Sequence, residues 1–550
     1  FFVLAHHMFG ADWSVPLRRI AESLMLLVPL MVFLFIPILL KFDGLYEWTS
    51  SDFWHHHHAL EAKTAYLNKT FFFIRLAIYF LIWIFLISRL YMLSVKQSDP
   101  SDKIKMKRFS ALGLALFAIS VSFFGFDEDT FTDSTSAVLA ITQWPSNGIL
   151  DNISNTYIIS GDDNMPIVLE DGSVASAIVP SGASRGTHEA FESRDIDNKK
   201  YLGKSVLKAV DKVNNEISNA LKGESPHDQG KIDKILIDLD GTEQKKRLGA
   251  NTILSVSLAA SKVDAISKNI PLYKNIGNKE TLPLPLMNII NGGAHANNSL
   301  RIQEFMIRPD NAKSFKEAIN MSYLVIQKLK SILSKKNLST TVGDEGGFAP
   351  SLPTNESAIE FIIEAIDKAG FIPGKDISIC LDVAANELFN NKKYAISSPQ
   401  YISAEKTIEY YLSLIKRYPI KSIEDPFFEE DWNSWIDFTK LANKELQIVG
   451  DDLFVTNQKR LTKGINEKAG NAILIKVNQI GTLTETIKVI NLAQKNNYKT
   501  IISHRSGDSE DTFIADLAVA TDSSQIKTGS LSRSERVAKY NRLLKIEDQL

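Results

Sequence analysis

Apolar positions are spread unevenly along the 550 residues. In the first quarter they form three long runs, Ile20 to Leu40, Phe71 to Leu93 and Phe109 to Phe126. Each approaches the about 20 apolar residues that a helix needs to cross a bilayer, so about three transmembrane helices are predicted in residues 1–126. Glu22 and Arg75 are polar residues inside these runs, and a helix bundle can absorb them. Between the second and third runs lie Lys96, Lys103, Lys105, Lys107 and Arg108. The positive-inside rule puts that loop in the cytoplasm and everything after residue 126 on the other side. Residues 127–165 are polar and turn-rich and read as a linker.

The pattern changes at Ile167. Two apolar runs joined at Asp171-Gly172 predict a hairpin, which empties into the small-residue loop Ser181-Gly-Ala-Ser-Arg-Gly-Thr-His-Glu. Helical patterns over Lys204 to Leu221 and Ala250 to Ser267 make residues 166–283 an α+β section. Two apolar runs with embedded polar groups follow, Pro285 to Ala296 and Ile302 to Ile307, and then Glu345 stands among glycines. After this the rhythm is regular. Strand-like runs near 376–382, 420–424, 447–451, 472–477, 499–503 and 525–528 are separated by amphipathic segments of helix length. Strands alternating with helices predict a parallel sheet, and their number predicts an α/β barrel of TIM type over residues 284–550.

Composition narrows the function classes. A formal net charge of -2 offers no electrostatic case for nucleic acid. The single cysteine, Cys380, excludes an intrachain disulfide, and no haem or iron–sulfur ligand set occurs. The consecutive histidines His55 to His58 cannot all face one ion and read as a solvated loop.

In such barrels the chemistry sits at the C-terminal ends of the strands. Those ends carry Asp382, Glu424, Asp451 and Lys476, followed by His504, Arg505, Ser506 and Lys527. Three carboxylates from separate strands suit a hard divalent cation such as Mg²⁺. Arg505, Ser506 and Lys527 supply donors for phosphate or carboxylate. Lys476 lies in the apolar run Ala-Ile-Leu-Ile-Lys-Val, where lost hydration is expected to bring its pKa down towards that of a useful base. By itself the stretch reads equally as a lysine snorkelling out of a strand end. Together the set suits removal of a proton next to a carboxylate, with Glu345 and Glu304 as the available acids.

Residues from about 167 to 550 resemble the enolase family on several motifs together. These are Ser181-Gly-Ala-Ser, Asn291-Gly-Gly-Ala-His, Gln303-Glu-Phe-Met, Gly343-Asp-Glu-Gly-Gly, Ser422-Ile-Glu-Asp-Pro-Phe, Leu474-Ile-Lys-Val-Asn-Gln-Ile-Gly-Thr, Ser503-His-Arg-Ser-Gly and Gln525-Ile-Lys-Thr-Gly. The resemblance implies reversible dehydration of 2-phosphoglycerate to phosphoenolpyruvate with two Mg²⁺ ions per site, in a cytoplasmic homodimer. It implies Asp382, Glu424 and Asp451 as ligands of the first ion and Ser184 at the second. Lys476 becomes the base, and Glu345, supported by Glu304, the acid. His295, Arg505, Ser506, Lys527, Asp452 and His504 become substrate-binding residues. Three departures stand out, one being that the topology deduced above would put a cytoplasmic domain outside the membrane. Arg185 occupies a position where the family has threonine, and the family's opening strand with its Asp-Ser-Arg-Gly-Asn-Pro turn is absent, which implies a truncated cap domain.

Residues 1–126 resemble a fragment of the quinone-binding membrane subunit of alternative complex III. The likeness rests on Trp13-Ser-Val-Pro-Leu-Arg-Arg-Ile-Ala-Glu, Leu45-Tyr-Glu-Trp-Thr and the segment Lys63 to Arg75. The expectation is a chimeric chain, a multi-pass membrane fragment joined to an enolase. The alternative is a membrane subunit of a quinol-oxidising complex carrying an inactive enolase-like domain.

Overall fold

The computed structural model describes scattered residues between 70 and 88, then 167–168, 173–182, 186–196 and 201–550 apart from Ser398. The predicted spans at 20–40 and 109–126, the basic loop, His55–His58 and the linker lie outside the described residues, as do Ser184 and Arg185. The chain divides into two units, Phe1–Ala137 and Val138–Leu550. In the first, the described positions between 70 and 88 are helical, with Phe80 and Leu86 buried and Ile74, Leu81 and Phe85 exposed. Among the described residues, no helix is long and apolar enough to cross a membrane.

The second unit opens with the hairpin that Asp171-Gly172 predicts. Strand β1 (Ile167–Val168) pairs antiparallel with β2 (Val174–Ala175), Ile167 opposite Ala175. Helix α1 (Gln229–Asp240) is capped by Asp228, whose carboxylate accepts from Lys231 N, and it stops at Gly241 in the left-handed region. Helix α2 (Ala250–Ser267) has its predicted bounds and is buried on nearly all sides. The run Lys204–Leu221 is not one helix. A π turn at Val213–Ile217 separates Leu207–Lys212 from Ser218–Leu221. Asn215 bonds the Asp211 carbonyl with its side chain, a local competitor for the backbone ladder.

Among the described residues, eight strands close into a barrel. They are β3 (Leu284–Asn291), β4 (Glu304–Arg308), β5 (Ser378–Asp382), β6 (Ile420–Glu424), β7 (Gln447–Gly450), β8 (Ala472–Ile475), β9 (Lys499–Ser503) and β10 (Gln525–Lys527). Side chains from six of these, Leu286, Met306, Cys380, Val449, Leu474 and Ile501 among them, form a small separate apolar cluster inside the barrel. A larger cluster lies between strands and helices, and there Met287, Ile289, Phe305 and Ile379 alternate with the inward set.

The all-parallel expectation needs correction at β4, which runs antiparallel to both β3 and β5. The reason is the connection from Asn291 to Glu304. It holds only a short turn, Gly293–His295, and no crossover helix, so the chain can only fold straight back. Reversal has a consequence for chemistry. Glu304 begins its strand yet pairs with Asp382, which ends its own, so both carboxylates stand at one mouth.

Helices pack outside the barrel in the usual alternation. They include α3 (Phe315–Lys335), α4 (Asn355–Lys368), α5 (Ala404–Arg417), α6 (Trp432–Leu441), α7 (Gln458–Glu467) and α8 (Leu483–Lys495). Ser314, Thr354, Ser403, Asp431, Asn457 and Thr482 cap their N-termini through side-chain oxygens, each worth about 1 kcal/mol. Helices α9 (Phe513–Ala520) and α10 (Ser534–Glu547) close the chain.

Candidate active site

A polar cleft opens at the barrel mouth where β5 to β10 end and β4 begins. Glu304, Glu345, Asp382, Asp451, Asp452, Lys476, His295, His504, Arg505, Ser506 and Lys527 line it. Glu424 lies immediately beneath, paired with Lys527. The structure therefore gathers every sequence-predicted site residue except Ser184, which lies outside the described residues.

Two buried lysines organise the carboxylates. Lys527, at the end of β10, reaches Asp382 Oδ2 and Glu424 Oε1 at 2.8 Å each and Glu304 Oε1 at 3.3 Å. Burial alone would lower its pKa, but Asp382, Glu304 and Glu424 outweigh that and hold it well above the usual lysine range. Lys476 follows β8, donates its backbone N–H to Thr456 Oγ1, and pairs through Nζ with Asp451 Oδ2. Here the sequence expectation is corrected. Desolvation pulls the Lys476 pKa down most, but the surrounding carboxylates, Asp451 first, together outweigh it, and the net direction is upward.

Acid is stored on the facing wall. Glu304 and Glu345 lie close enough to His295 that the three could share an ion. His295 Nδ1 is 3.6 Å from Glu304 Oε1 and 3.8 Å from Glu345 Oε1. Burial, and then the neighbouring Glu345, raise Glu304 well above the carboxylate range. Burial would raise Glu345 too, but the His504 and His295 imidazoles and the Arg536 guanidinium outweigh it and hold it well below.

Further residues escaped the sequence reading. Asp425, directly after Glu424, accepts the backbone N–H groups of Asp451 and Asp452 at 2.9 Å each and so fixes that turn. Asp451, Asp452 and Asp425 form a second cluster able to surround an ion. Burial, then Asp451, push Asp452 up to about 8. Glu189 comes from the small-residue loop of the cap and grips Arg505 with both oxygens, at 3.0 and 3.2 Å. Arg536, from α10, is fully buried behind His504. Asp425 had a visible signal, its place just past a strand end. Glu189 and Arg536 had none, because a loop carboxylate and an arginine on a charged helix are ordinary.

The donor set is oxygen-rich. Buried oxygens Glu304 Oε2 and Glu424 Oε2 have no hydrogen-bond partner, and the carboxylates outnumber the cations around them. Such a set fits a hard divalent cation rather than zinc or copper.

Comparison with known proteins agrees with this geometry. Residues 164–276 match the family description "Enolase, N-terminal domain" and residues 279–550 match "Enolase, C-terminal TIM barrel domain". The enolase of Pelagibacter ubique is 63% identical over 378 residues, covering 68% of this chain and 90% of that protein. The cleft, its two lysines and its paired acids thus stand on a scaffold shared along nearly the whole relative, and the chain belongs to the enolase family, carbon–oxygen lyases with phosphopyruvate hydratase activity.

Proposed function

We propose that the chain dehydrates 2-phosphoglycerate to phosphoenolpyruvate, reversibly and with Mg²⁺, and that Lys476 is the base. The observation that carries this reading is the division of the mouth, with Lys476 on one wall and the acid pair Glu304–Glu345 on the other. A substrate lying between them would lose its C2 proton to Lys476 Nζ. The electron pair left behind forms the C2–C3 double bond, and the C3 hydroxyl leaves as water with a proton from the acid pair. Arg505 and Ser506 would hold the phosphate, with His295 and His504 closing on the substrate.

Asp382, Glu424 and Asp451 would hold the first Mg²⁺, and Ser184 would meet the second. Asp451, which now pairs with Lys476, would be drawn towards a cation held there, and that charge would offset the negative charge that grows on the substrate carboxylate as the proton leaves. Lys527 would then be divided between the carboxylates it now holds and the substrate's own carboxylate. We further read residues 166–283 as a cap missing the family's first strand, residues 284–550 as the barrel, and the enzyme part as a cytoplasmic homodimer. The first 126 residues would be a membrane fragment fused to it through 127–165. One cysteine and no haem motif favour this over a quinol-oxidising subunit.

Chelation tests the reading. Removing divalent cations should abolish phosphoenolpyruvate formation and Mg²⁺ should restore it, while Glu424→Gln should weaken Mg²⁺ binding measured by calorimetry by roughly 10–100-fold or more. Undiminished turnover in chelator would overturn it.

A further inference from the structure

We propose that Arg536 is a positioning residue that fixes the tautomer of His504, and that this assigns Glu345 Oε1 as the oxygen through which the acid delivers its proton. The second half rests on the acid role proposed for Glu345. The first half rests on geometry alone.

Arg536 is fully buried, and two of its nitrogens serve four acceptors. Nη1 lies 2.7 Å from His504 Nδ1 and 2.6 Å from the Arg505 carbonyl; Nη2 lies 2.6 Å from the Ser506 carbonyl and 3.2 Å from the Asp344 carbonyl. A guanidinium has donors and no acceptor, and it does not lose its proton in proteins. His504 Nδ1 must therefore accept. A hydrogen on Nδ1 would point at an N–H, so the doubly protonated ring and the Nδ1–H tautomer are both excluded. The one ring hydrogen belongs to Nε2.

Nε2 lies 3.2 Å from Glu345 Oε2, and Asn288 Nδ2 donates to the same oxygen at 3.4 Å. Asn288 offers a hydrogen to Oε2, so Oε2 is an acceptor and a poor place for the acid's proton. Oε1 faces the other way, towards His295 Nδ1 at 3.8 Å, which in turn faces Glu304. The reversed tautomer would leave a bare lone pair 3.2 Å from Oε2 and favour the proton on the wrong oxygen. The neutrality required of His504 agrees with its pKa, which burial pushes down to about 4 against the pull of Glu345.

The fold makes room for this arginine. Gly529 has φ +78°, and a Cβ there would lie 2.9 Å from Arg536 Cδ and 2.7 Å from the Glu345 carbonyl. Tyr540, one turn on in α10, donates to the Gly529 carbonyl at 2.7 Å and fixes that backbone. Through its bonds to Asp344, Arg505 and Ser506, Arg536 also ties the acid loop to the loop that would bind phosphate.

The test is long-range ¹H–¹⁵N correlation on the full chain labelled with ¹⁵N-histidine at neutral pH, with the His504 signals assigned by their loss in His504→Gln. The expected result is a neutral Nε2–H ring in the wild-type protein and in Arg536→Lys, which keeps a donor at Nδ1. Arg536→Met should admit the Nδ1–H form and lower kcat with little change in KM. An Nδ1–H or doubly protonated His504 in the wild-type protein would overturn the proposal, and that reading needs no variant to fold. Should His504 be Nε2–H while Glu345→Gln turns over normally, the tautomer assignment survives, but the acid role fails and takes the Oε1 assignment with it.

Discussion

Glu304 is buried at the barrel mouth. Its burial, and then the neighbouring Glu345, raise its pKa well above the carboxylate range and so disfavour its charged form. Glu304→Gln, the uncharged isostere, should therefore leave the melting temperature equal or higher while lowering kcat by roughly 10²–10⁴-fold, the worth of a lost proton carrier. Calorimetry and steady-state kinetics on the same preparation check both halves. Gly529→Ala should behave oppositely, because a left-handed backbone and a Cβ pressed on the Glu345 carbonyl each work against the fold. Strain of about 1–3 kcal/mol is expected, visible as a lower melting temperature. The residues legible in the sequence, Lys476, Glu304, Asp382 and Asp451 among them, were those whose charge broke an apolar run. Arg536 interrupts nothing in its charged helix, and its burial comes from a glycine on another segment, which no local pattern records. The direction of the Lys476 pKa was misjudged for a related reason: burial shows in the run around it, but the pairing with Asp451 is a contact between strands.

Helix α10 is held by polar contacts as well as by the apolar burial of Tyr540, Leu543 and Ile546. Lys539 is 1% exposed and binds Asp508 Oδ1 at 2.6 Å, the Ser509 carbonyl, and the Glu535 carbonyl at 2.7 Å. Burial alone would raise the Asp508 pKa, but Lys539 and then Arg536 outweigh it and hold it below the usual range. A depressed folded pKa stabilises the protein above the unfolded carboxylate value of about 3.9 and stops doing so as pH falls through the folded value. Lys539→Met leaves Asp508 buried without its partner and should destabilise by about 3–5 kcal/mol at neutral pH. That deficit should shrink towards about pH 4, where Asp508 in the variant takes up a proton; melting curves at the two pH values decide. A constant deficit would mean that Lys539 acts only through its carbonyl contacts. At this scale the six later barrel strands were legible because a helix follows each turn of the pattern. Strand β4 was not, since its direction depends on the length of one connection and not on its own alternation.

The whole second unit behaves as one enzyme. Family similarity begins at residue 164, and the cleft is lined by residues from His295 onward, of which Arg505 is bonded by Glu189 and Glu345 by Asn288. A chain beginning at residue 160 should keep the full-length kcat, and placing an enolase-type opening strand ahead of Ile167 should raise its melting temperature. Loss of activity on truncation would instead give the first unit a part in catalysis. The apolar runs of residues 1–126 were legible as a pattern, yet most lie outside the described residues. What the account claims above all is that a lysine at the mouth of this barrel removes hydrogen from carbon. The most direct measurement follows the C2 hydrogen of 2-phosphoglycerate by proton NMR in D₂O with Mg²⁺ present, comparing the wild-type chain with Lys476→Ala. The account predicts exchange with solvent in the wild-type protein and none in the variant, even where the variant still binds Mg²⁺; exchange at the wild-type rate without Lys476 would contradict it.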